Sequence, residues 1–106
     1  MVGCDPGKII RYRNESEELL FAQVNKASLD RLPPGTTRNL DYPSDVFGDE
    51  EDALSIIIAD ERGCVVLRVE TTLRQFEEER DSRIEIRASD LPPIEDRTEC
   101  DPRLAD

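Results

Sequence analysis

Histidine and tryptophan are absent from this 106-residue chain, and lysine is nearly so, with only Lys8 and Lys26. Without histidine the side chain that most readily carries protons near neutrality is missing, and a serine or cysteine nucleophile has no ordinary base to activate it. The five glycines, at 3, 7, 35, 48 and 63, stand apart, so no glycine-rich loop is available to cradle phosphate. Long apolar runs are missing too. The longest, residues 54–59, is broken by Ser55 and falls far short of the roughly 20 residues that span a bilayer. No cationic cluster appears, which disfavours direct binding to nucleic acid phosphates.

What remains describes one domain of modest core, since a chain of this length buries about two thirds of its unfolded surface. The formal net charge is -11, and it is unevenly placed. Residues 41–52 hold Asp41, Asp45, Asp49, Glu50, Glu51 and Asp52 with no cation, and residues 88–106 carry a net -4. The rest is almost neutral, with both signs interspersed as on a solvated face. The loop acids Asp45, Asp49, Glu50, Glu51 and Asp52 lack the D-x-[DN]-x-[DN]-G spacing that wraps carboxylates around Ca2+. They read as a solvated acidic interaction surface, and neither a metal nor a cofactor is expected. Glu77-Glu78-Glu79 point in different directions on a helix, so they offer an exposed face rather than a carboxylate pair. Asn14-Glu15-Ser16 fits the glycosylation sequon, which has meaning only in a eukaryotic host.

Periodicity places the elements. Lys8 to Asn14 alternates, with Ile10 and Tyr12 on one side and Arg11 and Arg13 on the other. Residues 19–25 put Leu20, Ala22 and Val24 on one face, so these two strands are expected to form a hairpin across the acidic turn 14–18. Leu32-Pro33-Pro34-Gly35 is a turn with Gly35 at positive φ, and residues 36–40 make a polar edge strand. Residues 54–59 and 64–71 flank the turn Asp60-Glu61-Arg62-Gly63. The first of them is expected at the centre of a sheet with both faces covered, because Ile57 lies opposite Leu54, Ile56 and Ile58. Val65, Leu67 and Val69 supply its partner's core face. Thr72-Leu73-Arg74-Gln75 has capping-box form and starts a helix to about Arg80, with Leu73 and Phe76 inward. Ile84 and Ile86 mark a last strand, and the tail after Pro92-Pro93 shows no period and is expected extended or disordered. Seven short segments and one helix argue for an all-β fold, a small antiparallel β-sandwich of Greek-key type with the helix before the last strand. Residues 1–7 are a lead, 8–87 the sandwich and 88–106 an acidic tail.

The cysteines leave alternatives open. Met1-Val2-Gly3-Cys4 resembles the end of a bacterial lipobox, which makes Cys4 a lipidation candidate and takes the chain as a mature or late-started form; the other reading is a cytosolic start with a chance cysteine. With Cys4 lipidated, Cys64 and Cys100 are an even pair for a disulfide in an oxidising compartment. Otherwise Cys4 competes for Cys100, or Cys64 is a small buried hydrophobe and the others are free.

The run Ile10-Arg11-Tyr12-Arg13-Asn14, the turn Asn14-Glu15-Ser16 and Leu32-Pro33-Pro34-Gly35-Thr36-Thr37 resemble the opening of small bacterial envelope lipoprotein domains. The later hairpin, the helix begun by a threonine and Ile84-Glu85-Ile86 are similar to that group as well, over about residues 4–87. Where that group commonly has Trp before its final strand, this chain has Asp81-Ser82. The resemblance implies a β-sandwich and no catalytic residues. The expectation is a non-enzymatic binding or structural module at the cell envelope, lipid-anchored or secreted. It would act through a surface on an unknown protein or envelope component, touching the membrane only through a lipid anchor. The alternative is a cytoplasmic interaction protein that engages a basic partner through its acidic loop and tail.

Overall fold

Side chains that alternate between solvent and core make β1 (Lys8–Asn14) a strand: Ile10, Tyr12 and Asn14 are buried, and Ile9, Arg11 and Arg13 are exposed. The computed structural model describes residues 8–27, 29–43, 46–49 and 51–105. After β1 come β2 (Leu20–Val24), β3 (Leu29–Leu32), β4 (Thr37–Tyr42), β5 (Ala53–Asp60), β6 (Val65–Thr72), α1 (Leu73–Arg80) and β7 (Arg83–Ile86). They form two sheets, of order β4-β1-β7 and β3-β2-β5-β6. One core joins their inner faces, with Ile10, Tyr12, Tyr42, Ile84 and Ile86 from the first and Leu20, Val24, Leu54, Ile56 and Ile58 from the second. Leu73 and Phe76 of α1 complete it. The all-β sandwich with one short helix before the last strand is therefore present. Among the described residues one of the five strand pairings, β1 with β7, is parallel.

Four local expectations need correction. The strands β1 and β2 do not pair as a hairpin but lie in different sheets. Asn14 is the reason: at 1% exposure its amide donates to the Glu18 carbonyl at 2.8 Å and the Leu32 carbonyl at 2.9 Å. Its oxygen accepts from the Ser16 N–H and hydroxyl at 3.0 and 2.7 Å. These bonds hold residues 14–18 as an arch from one sheet to the other, where a hairpin would have needed ladder bonds. Strand β3, four residues long, is a further element; it pairs with β2 along the edge. Val65 is only half-buried, and Val66 takes its place in the core. A β-bulge between Ile58 and Ala59 gives β6 one extra residue and shifts the alternation there. The capping box is half made. The Thr72 hydroxyl accepts the Gln75 N–H at 3.2 Å, while the Gln75 side-chain oxygen accepts from Thr71 instead.

The tail, described through residue 105, is ordered, contrary to expectation. It makes three short 3-10 turns, Ala88–Asp90, Ile94–Asp96 and Pro102–Leu104, and a bridge between Cys64 and Cys100. The last of these turns lies against β2, on the outer face of the four-stranded sheet. That face carries Phe21 and Ala59, both buried though outside the inter-sheet core. The second cover expected for β5 is thus provided by the C-terminal segment.

Candidate functional site

Three places gather polar side chains. The first is the clasp between tail and sandwich. Arg97, whose side chain is 3% exposed, bonds the Asp60 carboxylate at 2.9 Å and both oxygens of Glu18 at 2.7 and 2.8 Å. Its Nε donates to the Pro92 carbonyl at 2.9 Å. Asp60, 4% exposed at its side chain, also accepts the N–H groups of Arg62 and Cys64 at 2.9 and 3.0 Å. Burial pushes the Asp60 carboxyl up, but the Cys64 N–H, the Arg97 guanidinium and the Arg62 N–H outweigh it and hold it below the ordinary value. The Arg97 hydrogen bonds hold Glu18 low as well, and Glu18 in turn raises Arg97. Three residues on, Cys100 is joined to Cys64 by a disulfide that closes 36 residues of chain. Among the described residues no buried side-chain nitrogen or oxygen lacks a partner. The buried polar groups of the clasp are thus satisfied by one another and by the backbone.

A cleft of about 640 Å³ lies beside the disulfide, lined in part by Lys26, Ile57 and Leu104. Most of its charge is already paired, Arg68 with Glu99 and Arg103 with Asp101, the latter at 2.9 Å.

The second place is the acidic loop. Asp45 and Glu50, like the lipidation candidate Cys4, lie outside the described residues. Asp49, Glu51 and Asp52 are exposed. Asp52 accepts the Asp49 N–H at 2.9 Å, and Glu51 meets Arg74 of α1 at 2.8 Å. No three His, Cys, Asp or Glu side chains gather for a metal ion among the described residues. The loop is anchored by Phe47, buried edge-on against Tyr42 with ring centroids 5.8 Å apart. The Tyr42 hydroxyl bonds Tyr12 at 3.0 Å and donates to Asp30 at 2.9 Å, so this chain ties the two sheets together. Burial raises both phenols above their ordinary value. The sequence signal was present here: two aromatics inside an otherwise acidic run mark points where the loop must turn inward.

The third place was not apparent in the sequence. The outward side chains of β4, β1 and β7 align Asn39, Arg11 and Arg83 in one row and Thr37, Arg13 and Glu85 in the next. They line a groove of about 370 Å³. Arg11 donates to the Asn39 carbonyl oxygen at 2.9 Å and pairs with no carboxylate among the described residues. Arg13 approaches Glu15 at 3.5 Å, and Arg83 approaches Asp81 at 3.4 Å. These pairs are exposed and long, hence weak. Alternation had put Arg11 and Arg13 on the solvent side of β1, but nothing in the sequence set Arg83 beside them, because the parallel β1–β7 pairing links positions 72 residues apart.

No helix among the described residues is long and apolar enough to cross a membrane. No family model, curated protein or solved structure matches the chain.

Proposed function

We propose that the chain is a non-enzymatic binding module displayed at the bacterial cell envelope, held there through Cys4 and acting through its surface. The observation that carries this is the pairing of the cysteines. Cys64 and Cys100 are joined, which suits an oxidising compartment. That pairing leaves Cys4, behind the small residues Val2 and Gly3, as the third cysteine. The disulfide also has work to do outside the cytoplasm: it fastens the tail across the outer face of the four-stranded sheet, where Phe21 and Ala59 would otherwise meet water.

The test is fractionation. Expressed from its native locus, the wild-type protein should sediment with membranes, and Cys4→Ser should release it, because the several acyl chains of a lipoprotein hold far more firmly than one. A wild-type protein that stays soluble after cell breakage overturns the envelope reading and favours a cytoplasmic interaction protein.

A further inference from the structure

We propose that the outer face of the three-stranded sheet docks an extended acidic segment of a partner protein, whose alternate carboxylates are taken by Arg11, Arg83 and Arg13. This rests on reading the chain as a binding module and is independent of its compartment. Arg11 and Arg83 occupy directly paired positions on neighbouring strands, about 4.8 Å apart, and like charges so placed destabilise a sheet. Among the described residues the Arg11 guanidinium bonds Asn39, a neutral amide, and no carboxylate. In a chain of net charge -11 the groove is lined by three guanidiniums and one carboxylate, Glu85; Glu15 and Asp81 meet Arg13 and Arg83 only in exposed contacts at 3.5 and 3.4 Å, which leaves Arg11 for an incoming anion to neutralise.

Spacing selects the kind of anion. Arg11 and Arg13 stand two residues apart on β1, roughly 6.6–6.8 Å along the strand, which equals the step between alternate side chains of an extended peptide. The next outward residue on the same strand is Ile9, 58% exposed and one of two large apolar side chains left mostly open among the described residues. It offers an apolar contact at one end of the groove, where Asp41 stands opposite it. Long polyanions and anionic bilayers fit less well, because the molecule's overall negative charge repels them. A short acidic segment meets the local field, since exposed charges are screened within about 8 Å at physiological salt.

The probe is a fluorescein-labelled peptide of alternating Glu and Ser with a leucine at one end, titrated against the full chain by anisotropy. Binding should saturate, weaken as salt rises, vanish when each Glu is replaced by Gln, and fall about tenfold or more in an Arg11→Gln, Arg83→Gln double variant. Both side chains are exposed and mutually repulsive, so that variant should fold with the parent's circular dichroism and at least its melting temperature. Unchanged affinity in the double variant overturns the proposal, as does tighter binding to anionic phosphatidylglycerol vesicles than to the peptide. Equal displacement of the peptide by inorganic phosphate at matched charge also overturns it, by showing a simple anion site. Membrane fractionation through Cys4 is indifferent to Arg11 and Arg83, so failure of this proposal and failure of the envelope reading are told apart.

Discussion

Arg97 shows how one residue can join a segment without period to a sandwich. Its guanidinium is buried between Asp60 and Glu18, and removing it leaves the buried Asp60 with the half-exposed Arg62 guanidinium at 3.5 Å as its counter-charge. Arg97→Met should therefore destabilise the protein by about 3–5 kcal/mol in urea denaturation at neutral pH. Acid supplies a sign to check. Asp60 and Glu18 are both held below their ordinary values, so the unfolded chain binds more protons than the folded one as pH falls through the carboxylate range, near about pH 4. Their contribution is present above that range and is lost below it. The gap between wild type and Arg97→Met should accordingly narrow on acidification, and a gap that stays constant from neutral to acid would show that Arg97 acts by packing alone. In the apolar core, Ile56 is fully buried, and Ile56→Ala should cost about 2–5 kcal/mol in the same assay. A variant as stable as the parent would show that its face is misassigned. Asp60 was legible as the residue opening a turn, and it does accept the Arg62 and Cys64 N–H groups. Its second oxygen was not legible, because the partner lies 37 positions away in a stretch with no period.

At the scale of elements, the strands whose side chains alternate were readable, and the connections between them were not. β1, β5 and β7 announce themselves by period two and β4 by polarity at an edge, whereas the choice between hairpin and arch after β1 turns on where the Asn14 amide finds its partners. The parallel β1–β7 pair and the bulge that exchanges Val65 for Val66 follow from packing, not from local pattern. The tail is the largest shortfall. Its 3-10 turns have no hydrophobic repeat, and they are held by a disulfide, one buried ion pair and a close backbone approach at Gly63. That glycine has φ +83°, and an added Cβ would come to 2.1 Å from the Asp101 carbonyl oxygen. Gly63→Ala should push the tail away as well as strain the turn. Hydrogen exchange should then rise across residues 88–105, with β1 and β7 staying protected. Exchange that rises uniformly would mean that the tail has no separate stability. Replacing both cysteines by alanine removes the 36-residue closure and should cost about 4 kcal/mol in the chain-entropy model.

For the molecule as a whole, the sandwich and its single helix were legible from seven short segments with turn chemistry between them, and the position of the acidic loop was legible from charge. The arginine groove was not. It is a property of the fold, made by strands β1, β4 and β7, which lie far apart in the sequence. The loop has an acid pattern that Arg74 and the Asp49–Asp52 turn partly satisfy from within. The proposed docking surface therefore rests on Arg11, whose guanidinium meets no carboxylate among the described residues, rather than on the carboxylates that dominate the composition. The functional reading itself depends on the three cysteines behaving differently from one another, and a non-reducing peptide map of protein taken from its native host reads all three at once. It should show the Cys64 and Cys100 peptides linked to each other, and Cys4 carrying acyl chains and refusing alkylation. Three free thiols open to alkylation would contradict both the clasped tail and the envelope assignment.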